Sequence, residues 1–215
     1  MIPKVIIQTS RNEYQQDYVI DIIKSFTPGW IYKHYNDNEV INFFRENPSL
    51  EFPNLIQKFY SFSYGEHRAD LFRYYYLYLK GGVYFDTDAM IQKNINDIIK
   101  QYEFVSVNST YFPSSIFQGF ICCIPNHPIL YQGLKNLYET PNEHLIKHPS
   151  NFHDICRNFY NYVINYKDQT GIYLYQEIFG DAETAYIIDP ETNEIVLKHY
   201  HIKKIIPRLQ PLQDS

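Results

Sequence analysis

The N-terminal part of the chain alternates between two hydrophobic periodicities, and this alternation constrains the fold more than any other feature. Residues 5–8 form a β-branched run between Pro3 and a polar turn, which indicates a buried strand. Apolar residues then recur at helical spacing up to a stop at Pro28 and Gly29. A second strand pattern covers residues 30–35, and Asp37 can cap a further helix. This order of strand, helix, strand and helix predicts an α/β fold with parallel pairing of the strands.

The remaining patterns continue this mixture of strands and helices. A helical stretch over residues 55–79 is broken near Gly65 and ends at the glycine pair 81–82. The other predicted strands are 83–87, 103–107 and 117–124, the other helices are 129–137 and 152–164, and 185–188 with 194–197 form a β-hairpin. We predict one domain over residues 1–215, a Rossmann-like mixed, mostly parallel sheet flanked by helices, with a small C-terminal β-hairpin.

Composition excludes some classes of function. The 215 residues carry a net charge of −5 and no Lys/Arg run longer than two, so there is no electrostatic footprint for nucleic acid. The three cysteines lack C-x-x-C spacing, which disfavours a cysteine zinc site and favours a reducing compartment. The N-terminus has no signal-peptide pattern, and no apolar stretch is long enough to span a bilayer. We therefore expect a cytoplasmic protein.

The helix predicted before the glycine pair has two chemically different sides. At about 100° per residue, its large apolar residues fall on one side, whereas Glu66, Asp70 and Arg73 fall on the other. The helix would pack through the apolar side and present a carboxylate and a guanidinium together. Taken alone, Asp70 and Arg73 are more simply interpreted as a solvated ion pair one helical turn apart.

The strand predicted after the glycine pair ends in two acids. Because strand side chains alternate, Tyr84, Asp86 and Asp88 share a face, with the two carboxylates about 7 Å apart if the strand persists. Paired carboxylates suit Mg²⁺ or Mn²⁺, which takes further ligands from substrate phosphates and water. The alternative is a strand end entering solvent, and an isolated D-x-D occurs often by chance.

The combination of these motifs is much more specific than either one. Residues 67–74 and 77–88 contain the pattern S/A-D-x-x-R, a spacer and G-G-x-Y-x-D-x-D in order and in spacing. This string resembles the DxD-containing sugar-transferase region of glycosyltransferase family 32, and it is similar to the same region of the large clostridial glucosylating toxins. Residues 2–9 resemble the family opening I-P-K-x-I-H-Q-T, with Ile7 where His is usual. Weaker similarities extend to about residue 175, where Ile172 replaces the Pro of a T-G-P element.

The resemblance implies a GT-A fold, a nucleotide-diphosphate sugar donor with UDP favoured, retention of anomeric configuration and a divalent cation, Mn²⁺ or Mg²⁺. It implies that Asp88 binds the metal, that Asp86 contacts the ribose and is a second candidate ligand, and that Asp70 and Arg73 hold the donor sugar and diphosphate. The remaining donor-binding residues implied by the resemblance are Ile7, Gln8, Thr9 and Tyr84.

Three residues outside these motifs are further candidates. His199 and His201 share a face if residues 196–202 form a strand, and GT-A enzymes often take a late His as a third metal or phosphate contact. The alternative is two half-exposed histidines on a polar strand. Gln118 lies near the position where the family often has Asn, which suggests a contact with the donor sugar.

Two other classes of function stay open on the sequence alone. A metal-dependent phosphohydrolase is also built on aspartates, although it usually needs more ligands than one D-x-D. A non-catalytic nucleotide-sugar binding module would keep the fold without turnover. The expected partners of the transferase are the nucleotide-sugar donor and a glycan or small hydroxyl acceptor, and the sequence identifies no general base.

Overall fold

The computed structural model describes residues 1–11, 15–180 and 184–200. The strands are β1 Val5–Thr9, β2 Ile31–Tyr35, β3 Gly82–Phe85, β4 Ala89–Ile91, β5 Phe104–Asn108, β6 Phe120–Cys123, β7 Ile172–Phe179, β8 Thr184–Ile188 and β9 Ile195–Tyr200. The helices are α1 Asp17–Phe26, α2 Asp37–Glu46, α3 Leu55–Ser61, α4 Gly65–Lys80, α5 Ile95–Ile99, α6 Pro128–Glu139, α7 Asn142–Lys147 and α8 Asp154–Ile164. Among these helices, none combines the length and the apolar character needed to cross a membrane.

The strands described form one mixed sheet in the order β2-β1-β3-β6-β5-β7-β8-β9-β4. The parallel pairs are β1–β2, β1–β3 and β5–β7. The α/β class and the flanking helices are confirmed, but the prediction of a mostly parallel sheet is wrong, since the other pairings of the described strands are antiparallel. The cause is that β6, β8 and β4 return without a helical crossover, and the predicted hairpin, β8–β9, is part of the main sheet.

The sheet separates two hydrophobic clusters. One contains the buried aromatic residues of α2, α3 and α4 with apolar residues of α6 and α8, and the other contains residues of α1, α5 and the opposite sheet face. Ile6 and Ile7 illustrate the division, because they are adjacent in β1, are fully buried and belong to different clusters. Side-chain alternation along a central strand therefore supplies both faces of the sheet.

The sheet is strongly curled, and a short connection shows why. β3 and β4 are separated by six positions in the strand order, which in a flat sheet would place them about 29 Å apart. The chain from Phe85 to Ala89 can span at most about 14 Å. The sheet must therefore curl so that its β9–β4 end approaches the carboxyl end of β3. This curl also ends β3 at Phe85, whereas the sequence predicted a strand continuing to residue 87.

The glycine pair that ends α4 is required by close contacts. Gly81 has φ 66° and Gly82 has φ 114°, a region that favours glycine. A Cβ at Gly81 would lie 2.7 Å from Cδ of Pro125, and a Cβ at Gly82 would lie 2.8 Å from the carbonyl oxygen of Val5. The glycine stop and the strand that follows it were predicted from the sequence, and the structure shows in addition that the pair lets β3 lie directly against β1.

Candidate active site

The candidate site lies at one edge of the sheet. Strands β1, β2, β3, β5, β7 and β9 all run in the same direction, so their carboxyl ends meet there. Thr9, Asp86, Ser109, Glu177 and His199 lie at or next to these ends. In open α/β sheets this edge is where ligands bind.

Arg73 is the centre of the polar network beneath this edge. Its Nε lies 3.4 Å from Oδ1 of Asp70 and its Nη1 lies 3.2 Å from Oδ1 of Asp86. Nη1 also donates to the carbonyl of Gln118, and the guanidinium lies 4.2 Å from the centroid of the Tyr84 ring. The carboxylates of helix α4 and of the segment after β3 are thus joined through one guanidinium.

The Asp70–Arg73 pair is buried and not solvated. Asp70 is 5% exposed and Arg73 is 3% exposed. The sequence predicted that this side of α4 is free of core packing, and that prediction is wrong because the side faces β3 and the segment before β6, where Tyr84 and Gln118 contact Arg73. Burial separates this pair from the exposed ion pairs that contribute little to stability.

The charge state of the network follows from burial and neighbours. Burial lowers the pKa of Arg73, but Asp86, Tyr84 and Asp70 outweigh it, so the pKa is raised and the side chain stays cationic. Burial raises the pKa of Asp70, while Arg73 opposes the rise. One buried cation therefore faces two carboxylates.

The two oxygens of Asp86 have different surroundings. Oδ1 accepts a 2.7 Å hydrogen bond from the Tyr84 hydroxyl and contacts Arg73. Oδ2 lies where a side chain at position 119 would begin, because a Cβ built on Gly119 is 2.9 Å from it. The Phe117 ring is still nearer to that position, so Gly119 permits both the ring and Oδ2, the oxygen that the Tyr84 and Arg73 contacts do not occupy, to approach the backbone closely.

Asp88 and His199 meet across the curl of the sheet. Oδ2 of Asp88 lies 3.6 Å from Nε2 of His199, and the backbone N–H of Tyr200 donates to the carbonyl of Asp88 at 3.0 Å. The partner of His199 in the β4–β9 ladder is Ala89, the residue after Asp88. His199 is therefore brought to the D-x-D segment by strand register. His201, the other predicted histidine, lies outside the described residues.

Glu177 lies on the other side of the His199 ring. Oε1 of Glu177 is 3.8 Å from Nδ1 of His199, while Oε2 accepts hydrogen bonds from the Ser109 hydroxyl at 2.7 Å and the Thr110 N–H at 3.2 Å. Burial raises the pKa of Glu177, but the hydrogen bonds outweigh it and the pKa is lowered. Burial lowers the pKa of His199, but Asp88 and Glu177 outweigh it and raise the pKa to about 9.

Two pockets meet at the Arg73–Asp86 pair, which lines both. The first pocket, of about 550 Å³, is polar and is also lined by Thr9, Arg11 and Asp88. We call it the polar pocket. The second, of about 420 Å³, has aromatic walls and also contains Asp70, Glu177 and His199, and its aromatic residues are Tyr111, Phe112, Phe117 and Phe152. We call it the aromatic pocket.

The donor groups at this junction fit a divalent cation that shares its ligands with substrate. The described residues include no group of three acidic, imidazole or thiol side chains placed to hold a metal ion by themselves. Asp88 and His199 offer a carboxylate oxygen and an imidazole nitrogen 3.6 Å apart, with Asp88 in the lining of the polar pocket and His199 in that of the aromatic pocket, and Asp86 lines both. Oxygen-rich sets of this kind suit Mn²⁺ or Mg²⁺ completed by diphosphate and water.

Not every residue predicted from the sequence has access to the site. Ile7 and Gln8 are fully buried and line neither pocket, and their contact with a nucleoside stays a prediction. They are buried because β1 is a central strand between β2 and β3. Gln8 supports the site from below, since its Nε2 donates to the carbonyl of Asp86 at 3.1 Å. Of the predicted trio, Thr9 lines the polar pocket.

Gln118 lies in the wall of the aromatic pocket, where its groups already have protein partners. Its Oε1 accepts from the Tyr74 hydroxyl at 2.6 Å and its Nε2 donates to the carbonyl of Ile116 at 3.1 Å. Its own carbonyl accepts from Arg73. These contacts make Gln118 a support for Arg73, and a contact with the donor sugar stays a prediction.

Sequence reasoning missed Glu177 and the aromatic pocket. The segment Ile172–Phe179 is rich in aromatic and β-branched residues, which was the available signal for a strand, and in the structure Glu177 lies on its buried side. A buried acid in such a strand indicates a functional or hydrogen-bonded carboxylate. Its proximity to His199 could not be inferred, because it depends on the registers of β7 with β8 and of β8 with β9.

Comparison with known proteins identifies a family region in this chain. Residues 5–105 match the family model described as the glycosyltransferase sugar-binding region containing the DXD motif. The matched segment contains Asp70, Arg73, Tyr84, Asp86 and Asp88. The resemblance inferred from the sequence motifs is therefore confirmed.

Several curated proteins are similar to this chain. Inositol phosphoceramide mannosyltransferase 1 of Schizosaccharomyces pombe is 27% identical over 157 residues, which cover 70% of this chain and 47% of that protein. An uncharacterized glycosyltransferase, L373, of Acanthamoeba polyphaga mimivirus is 24% identical over 92% of this chain and 70% of its own length. The chain thus spans about half the length of the mannosyltransferase relative. Among solved structures, PaToxG glycosyltransferase aligns with a TM-score of 0.49 at 11% identity, over 76% of this chain and 70% of that chain.

Proposed function

We propose, on the premise that residues 5–105 match the model of the DXD-containing glycosyltransferase region, that this chain transfers a hexose from a nucleotide-diphosphate donor to a hydroxyl acceptor with retention of configuration. One observation carries the proposal. Asp88 and His199 approach to 3.6 Å, and they line the two pockets that share the pair formed by buried Arg73 and partly exposed Asp86. The junction of these pockets can hold a diphosphate on one side and the sugar on the other.

The polar pocket is proposed to receive the nucleotide diphosphate. Arg11 and Arg68 line it together with Thr9, so cationic and hydroxyl groups face the space. Asp88 and His199 would hold Mn²⁺ or Mg²⁺ where this pocket meets the aromatic pocket, with Asp86 as the further candidate ligand and the diphosphate completing the set. When bound there, the cation would supply positive charge to the diphosphate leaving group.

Arg73 is proposed to stabilise the charge that develops on the leaving group. The guanidinium is fixed by its contacts with Asp70, Asp86 and Tyr84, so little reorganisation is needed when the bond breaks. Its planar donor set suits phosphate oxygens better than an ammonium would. Arg73 lines both pockets and can therefore act where sugar and diphosphate separate.

The aromatic pocket is proposed to receive the transferred sugar and the reacting end of the acceptor. Aromatic walls pack against the apolar faces of sugar rings, while Asp70 and Glu177 can accept hydrogen bonds from hydroxyls. The mannosyltransferase relatives favour mannose as the transferred hexose. The UDP preference drawn from the family resemblance stays part of the proposal, to be compared directly with GDP.

Front-side transfer is the proposed route to retention. The anomeric C–O bond to the diphosphate breaks, a bond to the acceptor oxygen forms on the same face, and the acceptor proton passes to the leaving phosphate oxygen. A covalent route would need a free carboxylate nucleophile. Glu177 accepts from Ser109 and Thr110, and Asp70 is paired with Arg73, so neither carboxylate is free of protein partners.

A donor panel tests the proposed function. UDP- and GDP-linked glucose, N-acetylglucosamine, galactose and mannose are incubated with protein and Mn²⁺, and release of the nucleotide is measured. Slow, Mn²⁺-dependent hydrolysis of one donor is expected, since glycosyltransferases without acceptor can transfer to water. Equal turnover of simple phosphate esters would support the phosphohydrolase alternative, and donor binding without any turnover would support the binding module.

A further inference from the structure

We propose that Glu177 is a positioning residue that orients His199 toward the divalent cation. The inference rests on the proposed function, because it concerns the cation site of that function. His199 lies between two carboxylates, with Nε2 facing Asp88 at 3.6 Å and Nδ1 facing Glu177 at 3.8 Å. Glu177 is 2% exposed and is not one of the proposed metal ligands.

The hydrogen bonds of Glu177 determine which of its oxygens is available. Oε2 accepts from the Ser109 hydroxyl and the Thr110 N–H, and the hydroxyl of Thr110 donates to the backbone carbonyl of Glu177. The side chain and backbone of Glu177 are therefore fixed against the segment after β5. Oε1 is the oxygen that faces the imidazole.

The geometry selects one tautomer of His199 for metal binding. In the metal-bound state, an N–H at Nδ1 directed to Oε1 of Glu177 would leave the lone pair on Nε2, which faces Asp88 and the cation site. Histidine ligands of protein-bound metals commonly donate their second N–H to a carboxylate, which fixes the ring and makes the ligating nitrogen more basic. The present 3.8 Å separation becomes a hydrogen bond after a small rotation of the ring, because Glu177 itself is held in place.

The surroundings support a role specific to His199. The ring also packs against Phe117 with centroids 4.6 Å apart, so one face is fixed while its two nitrogens address the two carboxylates. Strand register alone brings His199 beside the D-x-D segment, but it does not determine the rotation of the ring. Glu177 supplies that constraint from a different strand, β7.

A double-mutant cycle on Mn²⁺ affinity tests the inference. The free Mn²⁺ signal is followed by electron paramagnetic resonance, without donor sugar, in the presence of saturating UDP or GDP, whichever the wild-type protein binds. Glu177→Gln keeps the shape of the side chain and removes its charge, so Mn²⁺ affinity is expected to fall between about tenfold and a hundredfold. The same substitution made together with His199→Ala is expected to add no further loss, because Glu177 acts through that ring.

Two further variants separate this role from a general structural one. Ser109→Ala removes a donor to Oε2 but leaves Oε1 and its charge, so its Mn²⁺ affinity is expected to stay within about threefold of wild type. Glu177→Asp withdraws the carboxylate by one methylene, and the same loss as for Glu177→Gln is expected. It serves as the test if Glu177→Gln does not fold, as judged by circular dichroism.

The outcomes distinguish this inference from the proposed function. The positioning role is overturned if Glu177→Gln keeps wild-type Mn²⁺ affinity while His199→Ala weakens it. It is also overturned if Glu177→Gln lowers Mn²⁺ affinity equally in the wild-type and the His199→Ala background. If the wild-type protein binds no Mn²⁺ with either nucleotide, both the cation site and the role of Glu177 are overturned.

Discussion

Oδ2 of Asp88 lies 3.6 Å from Nε2 of His199, although the two residues belong to segments far apart in the sequence. The contact exists because the chain passes directly from β3 into β4, and β4 pairs with β9 at the end of the sheet. The curl that this short connection imposes assembles the candidate cation site. We therefore expect substitutions to change activity or stability at three places: the D-x-D segment, the residues that contact it, and the hairpin that carries His199.

Removing the Arg73 guanidinium should lower the free energy of unfolding strongly. Arg73→Ala leaves Asp70 and Asp86 without their buried partner, and a cost of about 3–5 kcal/mol in the free energy of unfolding is expected. Urea denaturation measures it. Arg45→Ala is the matched control, because Arg45 is exposed and bonds to Asn42, so a change within about 0.5 kcal/mol is expected. Equal effects of the two substitutions would contradict the central role of Arg73.

The Tyr84 hydroxyl should matter through Asp86. Tyr84→Phe removes the 2.7 Å hydrogen bond to Oδ1, which leaves the carboxylate less well oriented. The Mn²⁺ concentration for half-maximal donor hydrolysis is expected to rise about tenfold, as for the loss of an outer contact to a metal ligand. Tyr75→Phe, which removes a hydroxyl bonded to the carbonyl of Asn47, should leave this concentration unchanged. A similar rise in both variants would show that the Tyr84 hydroxyl has no specific role.

The absence of a side chain at position 119 should be necessary for activity. In Gly119→Ala the new Cβ would overlap the Phe117 ring and lie 2.9 Å from Oδ2 of Asp86, so one of them must move. Donor hydrolysis is expected to fall at least about tenfold, since a small misplacement of a catalytic group has large effects on rate.

Gly65 provides the control for that substitution. It begins α4, and a Cβ there meets no atom within 4 Å. Gly65→Ala is therefore expected to keep wild-type activity. Wild-type hydrolysis in Gly119→Ala would mean that activity does not depend on the close approach of Phe117 and Oδ2 of Asp86 to position 119.

The hairpin that carries His199 should show a defined pH dependence. Asp189 is 5% exposed, and its Oδ1 accepts from the Tyr173 hydroxyl at 2.6 Å and from the Glu191 N–H at 2.9 Å. Burial raises its pKa, but these bonds and Lys100 outweigh burial and lower it. A lowered folded-state pKa stabilises the protein above the unfolded pKa of about 3.9, and this stabilisation is lost as the pH falls through the folded-state pKa.

Asp189→Asn isolates that charge, because the amide oxygen can still accept both hydrogen bonds. The variant is expected to be about 1 kcal/mol less stable than wild type between pH 5 and 7, with the difference shrinking below about pH 4. Urea denaturation across this pH range measures the difference. A difference that stays constant down to pH 3 would show that the charge of Asp189 is not responsible.

Local patterns were sufficient to predict the segment that carries most of the site. The α4 helix, its glycine stop and the following strand were identified from periodicity, and Asp70 and Arg73 do form a pair. The burial of that pair was not predicted, because it depends on the segment before β6, which contributes the Gln118 carbonyl. Helical periodicity describes one helix and carries no information about what covers its polar side.

Other features depended on long-range geometry. Ile7 and Gln8 lie in the predicted first strand, but their burial follows from β2 and β3 lying on both sides of it. The register of β4 with β9 determines the neighbours of His199, and the sequence alone does not contain that register. Glu177 was missed for the same reason, since its approach to His199 depends on the registers of β7 with β8 and of β8 with β9.

The most direct test of the proposed cation site compares wild type with Asp88→Asn. The rate of hydrolysis of the best donor in the panel is measured as a function of Mn²⁺ concentration, with the thermal midpoint of both proteins as the control for folding. The rate of donor hydrolysis is expected to fall at least about a hundredfold in Asp88→Asn, the scale seen when a group that stabilises developing charge is removed. The thermal midpoint of the variant is expected to stay close to that of wild type. If Asp88→Asn retains the wild-type rate and Mn²⁺ dependence, Asp88 does not hold the divalent cation and the proposed site is contradicted.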